Sequence, residues 1–299
     1  MTRRLLILLL AATALWGQKD VISLSAPLTE TMYLLGQQGR LAAMSDTSLF
    51  PEQAKLDQQS GKIRKLGFSN PDMAVIDAIR PKLILTSTAF QRDLVAKLRA
   101  KGYKVLHFEP DTIEDIFMQT EQVGEALGKG REAGKWTRAW RSELAEIGKK
   151  SAGLPRVRVY IEINHNGPWT SGGKTTETEM IRLAGGENVF ADRNEGVFVT
   201  SNAEVVKRNP DIILSPIWLD AKVGGMDGIT PLREITSRTG YDETTAVKNS
   251  RVLYYDSALF KQQGPREVLA VRKLAYLLHP EEFPNPAGTI PWELGRIRQ

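Results

Sequence analysis

The sequence predicts an α/β fold of two lobes with mainly parallel central sheets, joined by one long backbone helix. Short apolar runs alternate with helical patterns along the chain, which marks βαβ units and a mainly parallel sheet. A helix–proline–strand segment occurs twice, as IDAIRPKLILTS over 76–87 and VVKRNPDIILSP over 205–216, with Pro81 and Pro210 in the same place. The copies lie far more than ~20–50 residues apart, so they mark two lobes of related design rather than a solenoid. Between them, residues 131–150 hold helical spacing. At 1.5 Å per residue that stretch is about 30 Å long, enough to cross from one lobe to the other.

The first lobe opens with a short apolar strand over 21–25 and a helix over 28–35, with Thr29 and Glu30 near its start and Gly36 at its end. A strand follows over 41–45. Residues 74–79 are helical until Pro81 breaks them, and 83–86 form a strand. A helix over 91–100 leads to a strand over 104–108. Ile113, Ile116, Phe117, Val123 and Leu127 share one face of a helix that Gly128 and Gly130 interrupt. No strand precedes this Gly-x-Gly, so it is no dinucleotide fingerprint. Trp136, Trp140, Leu144 and Ile147 resume the helical spacing, which makes the tryptophans packing residues.

After Gly153-Leu154-Pro155 the alternation restarts with a strand over 156–163. Helices are expected over 177–183, 203–207, 232–237 and 265–278, and strands over 211–215 and 252–255. The resulting boundaries are a first lobe over 19–128, a connecting helix over 131–152, a second lobe over 155–283 and a tail over 284–299.

A chain of 299 residues is long for one core. Its 41% hydrophobic and 25% charged content is that of an ordinary globular protein. The net charge of +5 is spread along the chain, with no basic stripe interleaved with aromatics, so no nucleic-acid partner is expected. Met1-Thr2-Arg3-Arg4, an apolar run over 5–11 and the small-x-small Ala12-Thr13-Ala14 read as a signal peptide over 1–14. It is too short to span a membrane, and it predicts export to the periplasm. Arg3-Arg4 also invites a twin-arginine reading, but its flanks do not fit that pattern. No later run reaches the ~18 apolar residues of a spanning helix, so the mature protein is expected to be soluble. The absence of cysteine removes thiol nucleophiles, cysteine metal sites, disulfides and a cysteine-borne lipid anchor.

Residues 166–190 read NGPWTSGGKTTETEMIRLAGGENVF, and Gly173-Lys174-Thr175 invites comparison with a phosphate loop. The count fails. The glycine that loop requires falls at Pro168, which lacks an N–H, and Gly167 is one residue too far.

Four segments resemble the periplasmic binding proteins of the iron-siderophore, haem and vitamin B12 type, which serve ABC importers. They are VISLSAPLTETMYLLG, IRPKLILTS, PWTSGGKTTETEMIRLAGGENVFAD and GPREVLAVRKLAYLLHPEEF, in the family's order over about 20–283. The third is most similar to the vitamin B12-binding members. The resemblance implies two α/β lobes on one long helix, little lobe movement, and a ligand in the cleft between them. It makes 168–172 a cleft-lining loop in which Gly172 and Gly173 allow an unusual turn that presents Trp169. Thr175 or Thr176 then caps the helix carrying Met180, and Gly185-Gly186 stops it.

A bulky chelate needs apolar walls and a few polar anchors. By the resemblance, Trp169 is the leading wall residue, with Phe50, Phe68 and Phe198 at other aromatic positions and Trp218 and Phe260 on the cleft side. For each, the alternative is ordinary core packing, and Trp169 is the one favoured for the cleft. Arg266 is an anchor for an acidic ligand or a structural ion pair. His165 is an axial ligand or a hydrogen-bonded surface histidine. Tyr33, Tyr160 and Tyr254 are other iron-ligand candidates, with no spacing to favour them. Arg92, Lys174 and Arg193 are the cations a siderophore binder would turn to the cleft. No resident cofactor or metal is expected, since the chelate is cargo.

The family carries one glutamate at each lobe tip to dock on the permease. Alignment through Pro81 and Pro210 puts Ala74 and Ala203 there, and Asp72, Asp77 and Glu204 are the acids nearby. The expected partners are an importer permease with its ATPase and a metal-chelate small molecule, and the protein is expected to act as a monomer. A corrinoid is favoured over a ferric siderophore or haem because of the Trp169 segment. A chelate-binding sensor or scaffold uncoupled from a permease stays open because of the two alanines. An exported hydrolase is disfavoured. The chain has no Gly-x-Ser-x-Gly elbow and no His-Glu-x-x-His, and Glu177 and Glu179 lie on different helix faces.

Overall fold

The computed structural model describes residues 19–164, 168–216 and 231–286. The signal-peptide reading over 1–14 and most of the tail fall outside these residues.

In the first lobe, β1 (Val21–Ser23), β2 (Leu41–Ser45), β3 (Arg64–Leu66), β4 (Leu83–Ser87) and β5 (Val105–Phe108) form a sheet in the order β3-β2-β1-β4-β5. Every pairing in it is parallel. The crossovers run through α1 (Ala26–Leu34), α2 (Glu52–Gln59), α3 (Met73–Ile79) and α4 (Arg92–Ala100). Strand side chains alternate between two apolar layers. Val21, Met44, Leu83 and Leu85 join Leu28 and Met32 of α1 in one. Ile22, Ala43 and Ile84 join Ile76 of α3 and Leu94 and Leu98 of α4 in the other. Helices cover both faces, which is why these strands are apolar without alternation.

Two helices then link the lobes. α5 (Ile113–Ala126) starts on a capping box, in which the Thr112 hydroxyl accepts from the Asp115 N–H at 3.1 Å and Asp115 accepts from the Thr112 N–H at 2.9 Å. α6 (Gly130–Ser151) is 22 residues long. The two lie against each other so closely that a Cβ on Gly124 would fall 2.4 Å from that of Ala133. Ile113 and Phe117 of α5 pack with Trp140, Leu144 and Ile147 of α6 into the second lobe's core. Val123 and Leu127, at the other end of α5, belong to the first lobe's core. Trp140 stacks at 5.6 Å from Phe117 and 6.2 Å from Trp136, so these tryptophans are packing residues.

The second lobe contains β6 (Val157–Asn164), β7 (Trp169–Ser171), β8 (Gly186–Asn188), β9 (Val197–Val199), β10 (Ile212–Ser215) and β11 (Val252–Tyr254). Their order is β11-β10-β6-β7-β9, with β8 paired to the start of β6. Its helices are α7 (Thr176–Leu183), α8 (Asn202–Arg208), α9 (Pro231–Thr236), α10 (Thr245–Lys248), α11 (Ser257–Phe260) and α12 (Glu267–Leu278). Val159, Ile161, Ile212 and Leu214 face α7 and α12. Tyr160 and Ile213 face Phe190, Phe198 and Val205 of α8.

The mainly parallel expectation holds for the whole first sheet and for β11, β10, β6 and β8. β7 departs from it, running antiparallel to both β6 and β9. The link from Asn164 to Trp169 is too short for the dozen or so residues of a parallel crossover, so the chain doubles back.

The internal repeat is structural. Asp72 caps α3 through the Ala74 N–H at 2.9 Å, and Ser201 caps α8 through the Glu204 N–H at 3.1 Å. Both helices end on a left-handed residue, Arg80 at φ 51° and Asn209 at φ 42°, just before Pro81 and Pro210. The strands that follow take equivalent places, β4 beside β1 and β10 beside β6.

Candidate ligand-binding site

In a doubly wound sheet, ligands bind at the carboxyl ends of the strands where the strand order reverses. In the first lobe that point lies between β1 and β4. A pocket of about 190 Å³ opens there. Ala26 and Pro27 line it after β1, Thr47 after β2, Phe68 after β3, and Ser87 and Thr88 at the end of β4. Lys261, Gln262 and Gln263 of the second lobe complete it, so it belongs to the cleft between the lobes.

The first lobe's half of this pocket is tightly braced. Ser25 caps α1, and its hydroxyl meets that of Ser87 at 2.7 Å, joining the ends of β1 and β4. The buried Gln91 accepts from the Ser87 N–H at 2.8 Å and donates to the carbonyls of Leu24 at 2.8 Å and Phe68 at 2.6 Å. One amide thus ties together the ends of β1 and β4 and the loop after β3. Thr88 sits at φ 77°, a strained region for a β-branched residue. Its hydroxyl oxygen is buried with no hydrogen-bond partner among the described residues.

On the second lobe, the Lys261 ammonium donates to the Ile163 carbonyl at the end of β6. Burial pulls its pKa below the usual lysine value, and Glu177 opposes that shift. The Gln263 side chain donates to the Pro110 carbonyl at 3.0 Å, while the Gln263 backbone carbonyl accepts from the Gln119 side chain of α5 at 2.8 Å.

A buried ionic group joins the lobes nearby. Arg266 pairs with Glu30 of α1 at 3.0 Å, and its guanidinium lies 3.9 Å from the centre of the Phe50 ring. Burial raises the Glu30 carboxyl to about 6, with Arg266 opposing. Glu267 is fully buried, and neither of its carboxyl oxygens has a partner among the described residues. Burial pushes it well above the ordinary carboxylate range, and Glu177 adds to the shift. Burial raises Glu177 as well.

Among the aromatics named from the sequence, Phe68 lines the pocket. Phe50 lies under Arg266, half-buried. Trp169 opens β7 and is 40% exposed, opposite Val199 and beside the equally outward Val197. On the other side it pairs with Asn164, next to the carbonyl that holds Lys261. Residues 169–171 are therefore a strand, where the sequence suggests a loop.

Gly172 and Gly173 have no left-handed φ and make no unusual turn. They allow close backbone contact, since a Cβ would fall 2.5 Å from the Glu195 carbonyl oxygen and 2.4 Å from that of Ala191 respectively. Thr175 caps α7 as expected, accepting from the Thr178 N–H at 3.2 Å. Phe198 and Phe260 are core residues rather than cleft walls. Strand alternation turns Phe198 inward, 8% exposed and edge-on to Phe190 at 5.6 Å. Phe260 is fully buried, edge-on to Tyr255 at 5.2 Å. Trp218 and His165 lie outside the described residues.

The named cations are mostly engaged elsewhere. Arg92 pairs with Glu109 and, with His107, holds that carboxyl down at about 2. Arg193 pairs with Glu195 at 2.6 Å, and Lys174 is exposed. The tyrosine candidates are scattered. Tyr33 donates to Asp57 at 2.8 Å, Tyr160 donates to Glu162 at 3.2 Å inside the core, and Tyr254 is half-buried in β11. None of these residues lines the pocket. Gln91, Thr88 and Lys261 were not singled out by sequence. Only Thr88, next to the end of an apolar strand, left a positional signal. Among the described residues, no group of three or more His, Cys, Asp or Glu is placed to hold a metal ion.

The tip acids have local roles. Asp72 caps its own helix, Asp77 pairs with Lys101 at 2.6 Å, and Glu204 pairs with Arg208 at 2.8 Å. Ala74 and Ala203 are exposed.

The family model described as "Periplasmic binding protein" matches residues 21–259. The chain belongs to the periplasmic binding protein family. It is 27% identical over 273 residues to YvrC of Bacillus subtilis, an uncharacterized ABC transporter substrate-binding lipoprotein, covering 89% of this chain and 81% of that one. It is 26% identical over 257 residues to the vitamin B12-binding protein of Vibrio vulnificus, covering 85% and 88%. Among solved structures, the fold is shared with the periplasmic vitamin B12-binding protein BtuF of Vibrio cholerae, at a TM-score of 0.71 and 21% identity over 87% of this chain and 96% of that one. It is shared with the periplasmic heme-binding protein RhuT from Roseiflexus, at 0.73 and 20% over 88% and 99%. Family members of this kind bind solutes. Among the described residues, no helix is long and apolar enough to cross a membrane.

Proposed function

We propose that this protein is an extracytoplasmic solute-binding protein that captures a metal chelate in the cleft and delivers it, as a monomer, to an ABC importer permease and its ATPase. The observation that carries this reading is a pocket at the carboxyl ends of the first lobe's strands, closed by Lys261, Gln262 and Gln263 of the second lobe. Phe68 walls it, and on this reading the exposed apolar residues Trp169, Val197 and Val199 of the second lobe are further wall of the cleft. Apolar walls with few polar anchors suit a bulky chelate.

The cargo class we favour is a corrinoid, over haem or a ferric siderophore. Its support is the match to relatives named vitamin B12-binding proteins along most of both chains. Tryptophan fluorescence of the mature protein, titrated with cyanocobalamin, haemin and ferric siderophores in turn, tests the reading. Saturable quenching by cyanocobalamin at micromolar or lower concentration is expected. Quenching by haemin or a siderophore alone would overturn the corrinoid choice, and silence toward all of them would overturn the chelate reading.

A further inference from the structure

At about 190 Å³ the pocket is smaller than the ~300–1,000 Å³ typical of a whole-ligand site, so it receives one group of a chelate and not the whole. Its lining shows which kind of group. Thr47, Ser87, Thr88, Gln262 and Gln263 bring hydroxyl and amide groups, of which the Ser87 hydroxyl already meets Ser25 and the Gln263 amide already donates to Pro110. Lys261 brings a cation, and no carboxylate lines the wall among the described residues. Helix α1 begins at Ala26 and Pro27, both in the lining, so its positive end faces the same space. The Thr88 hydroxyl is buried there without a partner among the described residues.

The charge balance around Lys261 supports the same conclusion. Its ammonium gives one hydrogen to the Ile163 carbonyl and has two more to offer. Glu177 is the carboxylate whose field reaches it. Glu177 and Glu267 are both pushed toward their neutral forms by burial, and Glu30 is matched by Arg266. Among the described residues no carboxylate lies within ion-pair distance of the Lys261 ammonium, which stands at the pocket.

We propose that this pocket is an anion subsite, taking a carboxylate or phosphate arm of the bound chelate, with Lys261 as counter-charge and the Thr88 hydroxyl as a donor. The proposal rests on the chelate reading above. A haem propionate and the phosphodiester arm of a corrinoid share the required chemistry, and the test separates them.

Affinities of the mature protein are measured by titration calorimetry for haemin and its dimethyl ester, whose carboxylates are capped. They are measured in parallel for cyanocobalamin and for cobinamide, which lacks the phosphate-nucleotide arm. The parent that binds is expected to be held about tenfold or more tighter than its capped or truncated partner, the scale of a charge-assisted hydrogen bond. Lys261→Gln is expected to erase that preference, and Lys261→Arg to keep most of it. Thr88→Val leaves the Lys261 tie to Ile163 intact and is expected to reduce the preference severalfold. A parent that binds no better than its partner, or a preference that survives both Lys261→Gln and Thr88→Val, overturns the subsite and leaves the chelate reading standing. If none of the four probes binds, the corrinoid and haem readings fall and the subsite falls with them.

Discussion

Glu30 of α1 and Arg266, just ahead of α12, meet across the two lobes at 3.0 Å, and both are buried. Removing one partner of such a pair strands the other charge, at ~3–5 kcal/mol. Arg266→Ala also removes the guanidinium stacked on Phe50. Arg266→Ala or Glu30→Ala is therefore expected to lower stability by ~3–5 kcal/mol, with the double mutant far less damaged than the sum of the two. Urea unfolding of the three variants checks this, and additive losses would show that the two groups are not coupled.

Glu267 gives a pH signature. Burial raises its folded-state pKa well above the 4.5 it has when exposed. The folded state therefore binds the proton more tightly than the unfolded state. The stability this confers is complete below about pH 4.5 and is lost as pH rises toward the folded value, at ~1.4 kcal/mol per pH unit. Glu30, raised to about 6, contributes in the same direction. Glu267→Gln is expected to match the wild type near pH 4 and to exceed it in denaturant midpoint near pH 8. Parallel pH profiles for the two proteins would refute the assignment.

Gln91 braces the first lobe's side of the pocket through the Ser87 N–H and the Leu24 and Phe68 carbonyls. Gln91→Leu leaves three backbone groups short of a partner, and each buried loss costs ~1–3 kcal/mol. A drop of at least ~2 kcal/mol in stability is expected, together with faster amide exchange at Ser87. Unchanged exchange at Ser87 would show that Gln91 fills space without bracing the loops.

Trp169 and Phe198 lie on opposite faces of the β7–β9 pair and should separate function from folding. Trp169→Ala is expected to weaken cyanocobalamin about tenfold, ~1.4 kcal/mol, with little effect on stability. Phe198→Ala is expected to lower stability by ~3–5 kcal/mol. Unfolding curves and fluorescence titrations of the two variants decide it, and the reverse pattern would exchange their roles.

The elements legible in the sequence were those buried on both sides or marked by punctuation. β1, β4 and β10 are apolar runs, Pro81 and Pro210 mark the repeat, and α6 keeps its spacing throughout. β3 escaped because Arg64 and Lys65 face solvent and only Leu66 is buried, which leaves no pattern to read. β7 and β9 have three residues each, and period-two alternation cannot be recognised in so short a stretch. For the same reason Trp169 and Phe198 looked alike although their strands turn them to opposite sides. Phe68, which lines the pocket, is named from the sequence because a family aromatic position falls near it. Lys261 and Glu267 were not found, since a lysine or a first-turn glutamate on a helix normally faces water, and only burial makes these two exceptional.

Helix α5 holds Ile113 and Phe117 in one core and Val123 and Leu127 in the other. Swinging the lobes apart would pull one of these pairs into solvent, so on the proposed function the empty and loaded forms would keep nearly the same outline. On that reading entry would need no lobe opening, and differences in affinity would arise mainly in how slowly a ligand leaves. A partner that recognises this outline cannot tell full from empty by shape. On the proposed function, empty copies would compete with full ones for it, and delivery would slow when the protein outnumbers its cargo.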